Sequence, residues 1–199
     1  MTTKIKLCGI TNPEDARICA SADYLGLIFV PESPRHVTIE RAREIVGALG
    51  SARRKVVGVF RDQPLELVQR AIGDAGLDLV QLHGSEPDEY VAQLRVPVIK
   101  TVRVGEQRPD VRTKAAYLLF DTLDDRLAGG TGRRFDWGLL SDLREKPFFL
   151  AGGITAENVA VAISVARPYA IDVATGVEAS PGTKDPEKVR ALIERVRAA

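Results

Sequence analysis

Short β-branched and apolar runs recur along the chain, separated by longer Ala-, Arg- and Glu-rich segments whose apolar positions fall at helical spacing. The apolar runs read as strands over Lys4–Cys8, Tyr24–Phe29, Lys55–Phe60, Leu79–His83, Val98–Val102, Tyr117–Asp121, Phe148–Ala151 and Ala170–Ala174. The segments between them predict helices over Pro13–Ala22, Thr38–Leu49, Pro64–Ala75, Pro87–Leu94, Asp136–Leu143, Ala156–Ala166 and Pro186–Arg197. A Pro at the first helical position behind a capping residue marks several starts, as at Asn12-Pro13 and Asp185-Pro186. The interval from Val104 to Lys114 holds a short helix at most, so the fifth crossover reads as degenerate.

Strict alternation of strand and helix is the signature of a parallel sheet, and this number of repeats predicts an α/β fold of the (β/α)8 TIM-barrel type. It is a minimal barrel, expected to be a single domain over residues 1–199. An open doubly wound sheet is the alternative, against which no Gly-x-Gly-x-x-Gly follows the first strand.

Composition narrows the partner. The chain is 45% hydrophobic and 28% charged, with a net charge of +1 and acids and bases interspersed. That balance offers no basic face for nucleic acid and no polybasic membrane patch. The first residues read as a strand, with no signal core, and no run approaches the ~18 apolar residues of a membrane span. A cytoplasmic protein acting on a small molecule is expected, with Cys8 and Cys19 as free thiols.

In such a barrel, function gathers at the C-terminal ends of the strands. Two late strands run into glycines: Phe148-Phe149-Leu150-Ala151-Gly152-Gly153 and Ala170-Ile171-Asp172-Val173-Ala174-Thr175-Gly176. Glycine there lets main-chain N–H groups approach an anion, so Gly152, Gly153, Thr175 and Gly176 are the expected phosphate cradle.

The other strand ends carry Cys8, Arg35 in its Pro-bounded loop, Gln81 with His83, Asp121, and Asp172. Cys8 reads as a thiol facing the barrel mouth or as a small buried hydrophobe. Asp121 closes an apolar run, where desolvation would raise its pKa and suit it to general-acid work; a cap for the following loop is the other reading. Arg35 is a fixed guanidinium for an anion or an exposed loop cation. His83 and Gln81 are weaker signals, either ligand contacts or ordinary loop bonds. Lys6 shares strand parity with Cys8, and a buried ammonium there needs a partner, for which Asp172 is expected. The Gly-rich stretch Gly129-Gly130-Thr131-Gly132-Arg133-Arg134 suits a loop that closes over substrate, or a plain connector.

Taken in order, Lys6-Leu7-Cys8-Gly9-Ile10-Thr11, Ser33-Pro34-Arg35, Gln81-Leu82-His83-Gly84, Phe120-Asp121-Thr122, Phe135-Asp136-Trp137, Ala151-Gly152-Gly153-Ile154 and Gly176-Val177-Glu178 resemble the phosphoribosylanthranilate isomerases of tryptophan biosynthesis. The resemblance implies a cofactor-free and metal-free Amadori rearrangement on a (β/α)8 barrel. It matches Cys8 to the general base, Asp121 to the general acid and Arg35 to a contact with the anthranilate carboxylate, with Gln81, His83 and Asp172 among the substrate-binding residues. The family chemistry implies a site that lowers the Cys8 pKa or works with a small thiolate fraction, and turnover that rises with thiolate formation and falls as Asp121 loses its proton.

Departures from the family pattern touch the phosphate end. Ala174-Thr175 stand where two serines are usual, Glu32 where a basic residue is common, and Thr131 in place of a frequent serine. Rival readings are a ribulose-phosphate epimerase, which would want several metal-binding His where this chain has only His36 and His83, and a histidine-pathway isomerase, which would use paired aspartates. A catalytically silent scaffold barrel is the reading from another class. A monomer and a homodimer are equally compatible with the sequence.

Overall fold

A computed structural model describes residues 2–50, 54–107, 109, 111–122, 135–143 and 145–199. Eight parallel strands close into a barrel in sequential order: β1 (Lys4–Cys8), β2 (Tyr24–Ile28), β3 (Lys55–Phe60), β4 (Leu79–Leu82), β5 (Val98–Val104), β6 (Tyr117–Thr122), β7 (Phe148–Leu150) and β8 (Ala170–Val173). β8 pairs back onto β1 with Lys4 opposite Ala170 and Lys6 opposite Asp172, which leaves the barrel sheet without an edge. The (β/α)8 expectation holds, and the open-sheet alternative does not.

The helices are α1 (Pro13–Ile18), α2 (Ile39–Gly47), α3 (Leu65–Ala75), α4 (Asp88–Val91), α5 (Val159–Ala166) and α6 (Pro186–Ala198). Their starts follow the caps in the sequence: Asn12 accepts from Asp15 N–H, and Asp185 accepts from the N–H groups of Glu187 and Lys188. Several helices are shorter than their patterns predict. α1 stops at Ile18 and its tail folds into tight turns, which bring Asp23 beneath β1 to accept from Ile5 N–H at 3.0 Å. The predicted helix over Asp136–Leu143 is only a 3-10 turn, Trp137–Leu140: Asp136 caps its start by accepting from Gly138 N–H, but the glycine inside the turn weakens its continuation as a helix. Among the described residues no helix lies between β5 and β6, so the fifth crossover is degenerate as expected.

Two apolar clusters divide the core. One fills the shell between barrel and helices; the other, built from Tyr24, Val57, Leu79, Ile99, Leu119, Phe149 and Ala170, lies inside the barrel. Tyr117 and Tyr169 pack against this inner plug, with Phe149 edge-on to Tyr24 and Tyr117. The aromatics fill the N-terminal end, so polar side chains on the same inward parity are concentrated toward the C-terminal mouth. An additional hairpin, β9 (Glu178–Ser180) with β10 (Thr183–Lys184), sits between β8 and α6 and was not anticipated from the pattern.

Candidate active site

Lys6 lies at the centre of the constellation. It is 0% exposed, and its Nζ donates to both carboxylate oxygens of Asp172, at 2.9 and 2.8 Å. Burial alone would favour the neutral amine, but the Asp172 carboxylate, seconded by Cys8, overcomes it and holds the Lys6 pKa above its ordinary value. The pairing expected from strand parity is therefore present. The Lys6 charge also bears on Cys8, His83 and Asp121, so these groups surround one buried ammonium.

Cys8 ends β1 two residues beyond Lys6, directly opposite Gly26 of β2. A Cβ at position 26 would stand 2.7 Å from the Cys8 sulfur, so only glycine leaves room for the thiol there. Burial pushes the thiol pKa up and Asp172 adds to the rise, while Lys6 and Lys184 pull it down. The net shift is upward. Of the two expectations for this thiol, the upward shift favours the small thiolate fraction over a lowered pKa: desolvation outweighs the neighbouring cations, and the thiolate is a minor species near neutral pH. Cys19, the C-cap of α1, is fully buried with burial pushing its pKa up to about 12, a free thiol packed in the core.

Asp121 stands near the end of β6, opposite Arg103 of β5. Burial lifts its carboxyl to about 6, opposed by the Thr122 N–H donated to Oδ1 at 2.8 Å; Asp172 adds to the rise, while Arg103 and Lys6 oppose it. A carboxyl so poised carries a useful protonated fraction near neutral pH, which is the property a general acid requires. Its bond to the next residue's N–H also gives partial substance to the capping alternative.

Gln81 and His83 face inward from β4. The His83 Nδ1 lies 3.4 Å from Gln81 Nε2 and 3.3 Å from Thr101 Oγ1. Burial, reinforced by Arg103, Lys6 and Arg61, lowers the His83 pKa to about 4, leaving a neutral imidazole. Gln81 is 2% exposed, yet its Oε1 has no hydrogen-bond partner among the described residues. An orphaned buried acceptor at the mouth suits a ligand donor.

Arg35 does not extend as an unengaged cation. Its Nε and Nη2 donate to Glu178 at 2.8 and 2.6 Å, and Nη2 lies 3.4 Å from Thr175 Oγ1. This contact qualifies its expected role, since Glu178 already occupies one edge of the fork.

The two glycine-bearing ends do meet. Gly152 and Gly153 are consecutive left-handed residues (φ 86° and 66°), and Asn158 braces the turn by donating to Gly153 O at 2.8 Å. A Cβ at Gly176 would lie 2.2 Å from Ile154 O, so the β8 end packs directly on the β7 loop. The main-chain N–H groups of such adjoining turns can serve a single anion.

Sequence reasoning gave no role to Glu178, Lys184 or Arg103. The hairpin carrying the first two had a readable signal, the Ser180-Pro181-Gly182 turn with Gly182 at φ 82°. The proposed closing loop, Gly129 to Arg134, lies outside the described residues. Among the described residues no group of three or more His, Cys, Asp or Glu is placed to hold a metal.

Residues 5–195 match the family model described as N-(5'-phosphoribosyl)anthranilate (PRA) isomerase. The chain belongs to the PRA isomerase family. It is 45% identical over 201 residues to the enzyme of Acidithiobacillus ferrooxidans, covering 98% of this chain and 97% of the other. Among solved structures, phosphoribosyl anthranilate isomerase from Thermotoga maritima superposes with a TM-score of 0.87 at 34% identity, covering 99% of this chain and all of that one. A second structure at 34% identity and TM-score 0.85, with the same coverage, is such an isomerase in complex with reduced 1-(o-carboxyphenylamino)-1-deoxyribulose 5-phosphate.

As a PRA isomerase family member, the chain departs from pattern in ways the structure locates. Ala174 contributes its carbonyl, which accepts from Lys184 Nζ at 3.3 Å, so the lost serine hydroxyl is not part of that bond. Thr175 keeps a hydroxyl beside Arg35. Glu32 is 69% exposed at its side chain and stands 4.0 Å from Arg61, a surface pairing with little energetic weight.

Proposed function

We propose that this chain isomerises N-(5-phosphoribosyl)anthranilate to 1-(2-carboxyphenylamino)-1-deoxyribulose 5-phosphate in the tryptophan pathway of the cytoplasm, as one barrel domain over residues 1–199, monomeric or homodimeric. The observation that carries it is Asp121, a carboxyl held at about 6 on β6, across the same mouth as the Cys8 thiol on β1. Membership of the PRA isomerase family supports reading these two groups as the acid and base of that reaction.

In this reading Asp121 gives its proton to the furanose ring oxygen. The C1–O bond breaks as the anilino nitrogen lone pair forms an iminium at C1, and the ring opens. The cationic imine acidifies the C2 hydrogen, which the Cys8 thiolate removes; those electrons form the C1–C2 double bond and neutralise the nitrogen. Tautomerisation of this enolamine to the ketone returns a proton to C1. No metal or organic cofactor enters these steps. Gly152, Gly153, Thr175 and Gly176 hold the phosphate, Arg35 the anthranilate carboxylate by its remaining edge, and Gln81, His83 and Asp172 the sugar. Lys6 holds Asp172 in place through both carboxylate oxygens and stabilises the thiolate when it forms.

The test is loss of N-(5-phosphoribosyl)anthranilate fluorescence on addition of purified protein with a metal chelator present. Turnover under these conditions supports both the substrate and the absence of a metal. No turnover contradicts the reading.

A further inference from the structure

We propose that Glu178 and Lys184 are positioning residues for this reaction, a buried pair on the β9–β10 hairpin that fixes the Arg35 fork on one side and the Cys8 main chain on the other; this rests on the functional reading above. Both are nearly removed from solvent, at 6% and 3% exposure. Burying two opposite charges costs several kcal/mol per ion and is offset only when their remaining hydrogen-bonding positions are filled.

They are filled. Lys184 Nζ donates to Cys8 O at 2.6 Å, Glu178 Oε1 at 3.0 Å and Ala174 O at 3.3 Å, one acceptor for each ammonium proton. Glu178 accepts from Lys184, from Arg35 Nε and Nη2, and from Gly182 N–H at 3.3 Å. The hairpin is itself tethered, since Lys184 N–H donates to buried Asp15 Oδ2 at 3.0 Å, and Asp15 is held in turn by the Asn12 cap.

The acceptors chosen are what carry the inference. Cys8 ends β1 with the proposed base, and Ala174 follows β8 at the start of the phosphate loop. One ammonium therefore sets the distance between base and phosphate anchor. Glu178 takes the Nε–Nη2 edge of Arg35, while the arginine stem lies so close to Gly9 that a Cβ there would stand 2.5 Å from Cδ. The guanidinium is thus clamped between the residue after Cys8 and Thr175, with its Nη1 side left for a ligand carboxylate. A hairpin needed only for stability would be served as well by apolar residues of similar volume.

The experiment compares Glu178→Gln and Lys184→Met with wild type, normalising to folded protein by circular dichroism. Glu178→Gln is expected to raise KM for N-(5-phosphoribosyl)anthranilate about tenfold with kcat changed less than about threefold, because its effect passes through Arg35. Lys184→Met is expected to lower kcat about tenfold and to move the pH midpoint of Cys8 alkylation by iodoacetamide upward by about half a unit. The charged groups facing Cys8 are Lys6 of its own strand, Asp172 of β8, Arg35 from the β2–α2 loop and Lys184; the midpoint reports loss of the last while the others stay. Unchanged kcat, KM and alkylation midpoint per folded molecule would overturn the proposal, leaving only a structural role. If Lys184→Met does not fold, Glu178→Gln decides, and an unchanged KM overturns it. A wild type inert on the substrate would refute the functional reading, while the alkylation midpoint would still decide the Lys184 arm.

Discussion

Lys6 Nζ donates to both oxygens of Asp172, at 2.9 and 2.8 Å, across the seam where the first strand of the barrel meets the last. Removing one partner strands the other charge in the interior. Lys6→Met is therefore expected to cost about 3–5 kcal/mol, whereas Lys6→Met combined with Asp172→Leu should recover much of that loss. A double-mutant cycle by urea denaturation measures it, and additive single effects would show that the pair is not coupled.

The pH profile follows from two opposed titrations. The productive form needs Asp121 protonated and Cys8 ionised, yet Asp121 titrates near 6 and the thiol above its ordinary value. The productive form is thus a minority species whose share is constant between the two pKa values. Turnover should fall below about pH 6, because thiolate is lost with no further gain in protonated Asp121, and fall again above the thiol pKa as Asp121 protonation dwindles. Each limb is the reverse of a direct assignment, which would give the acid limb to Cys8 and the alkaline limb to Asp121. A kcat/KM profile from pH 5 to 10 checks it; a sharp optimum in place of a plateau would contradict it.

The same carboxyl predicts a trade of stability for activity. Its folded pKa, about 6, lies above the unfolded value, so its contribution to stability is complete below about pH 4 and is lost as pH rises through 6. Asp121→Asn keeps an acceptor for Thr122 N–H without the charge. Thermal melting at pH 7.5 should find it more stable than wild type by up to about 3 kcal/mol, with the gap closing toward pH 4. A variant less stable at every pH would refute desolvation as the cause.

Gly26→Ala introduces a methyl 2.7 Å from the Cys8 sulfur with no change of charge. The thiol must move, so kcat should drop at least about tenfold with a modest loss of stability. Gly176→Ala, whose methyl would meet Ile154 O at 2.2 Å, should instead raise KM by opening the phosphate loops. Steady-state kinetics of the two variants separate the effects, and equal kcat losses in both would argue against distinct base and phosphate regions.

What was legible in the sequence was local. β1 and β3 begin and end where the apolar runs do, because each run is a short, β-branched-rich stretch whose length matches one strand. The Lys6–Asp172 pair followed from strand parity plus the cost of an unpaired buried charge. The Glu178–Lys184 pair did not, because its partners Cys8 and Arg35 are distant in sequence and short hairpins leave little periodic signal. The direction of the Cys8 shift was likewise illegible, being a contest between burial and cations whose outcome depends on packing. The truncation of α1 depends on Asp23 reaching Ile5 N–H, a tertiary contact that overrides the helical pattern.

The central claim is that Asp121 supplies the proton and Cys8 removes one. The most direct measurement is kcat for Cys8→Ser and Asp121→Asn beside wild type, with N-(5-phosphoribosyl)anthranilate as substrate and folding verified in parallel. The account predicts a loss of at least about 100-fold in each folded variant. Turnover within a fewfold of wild type in either would contradict the role assigned to that residue.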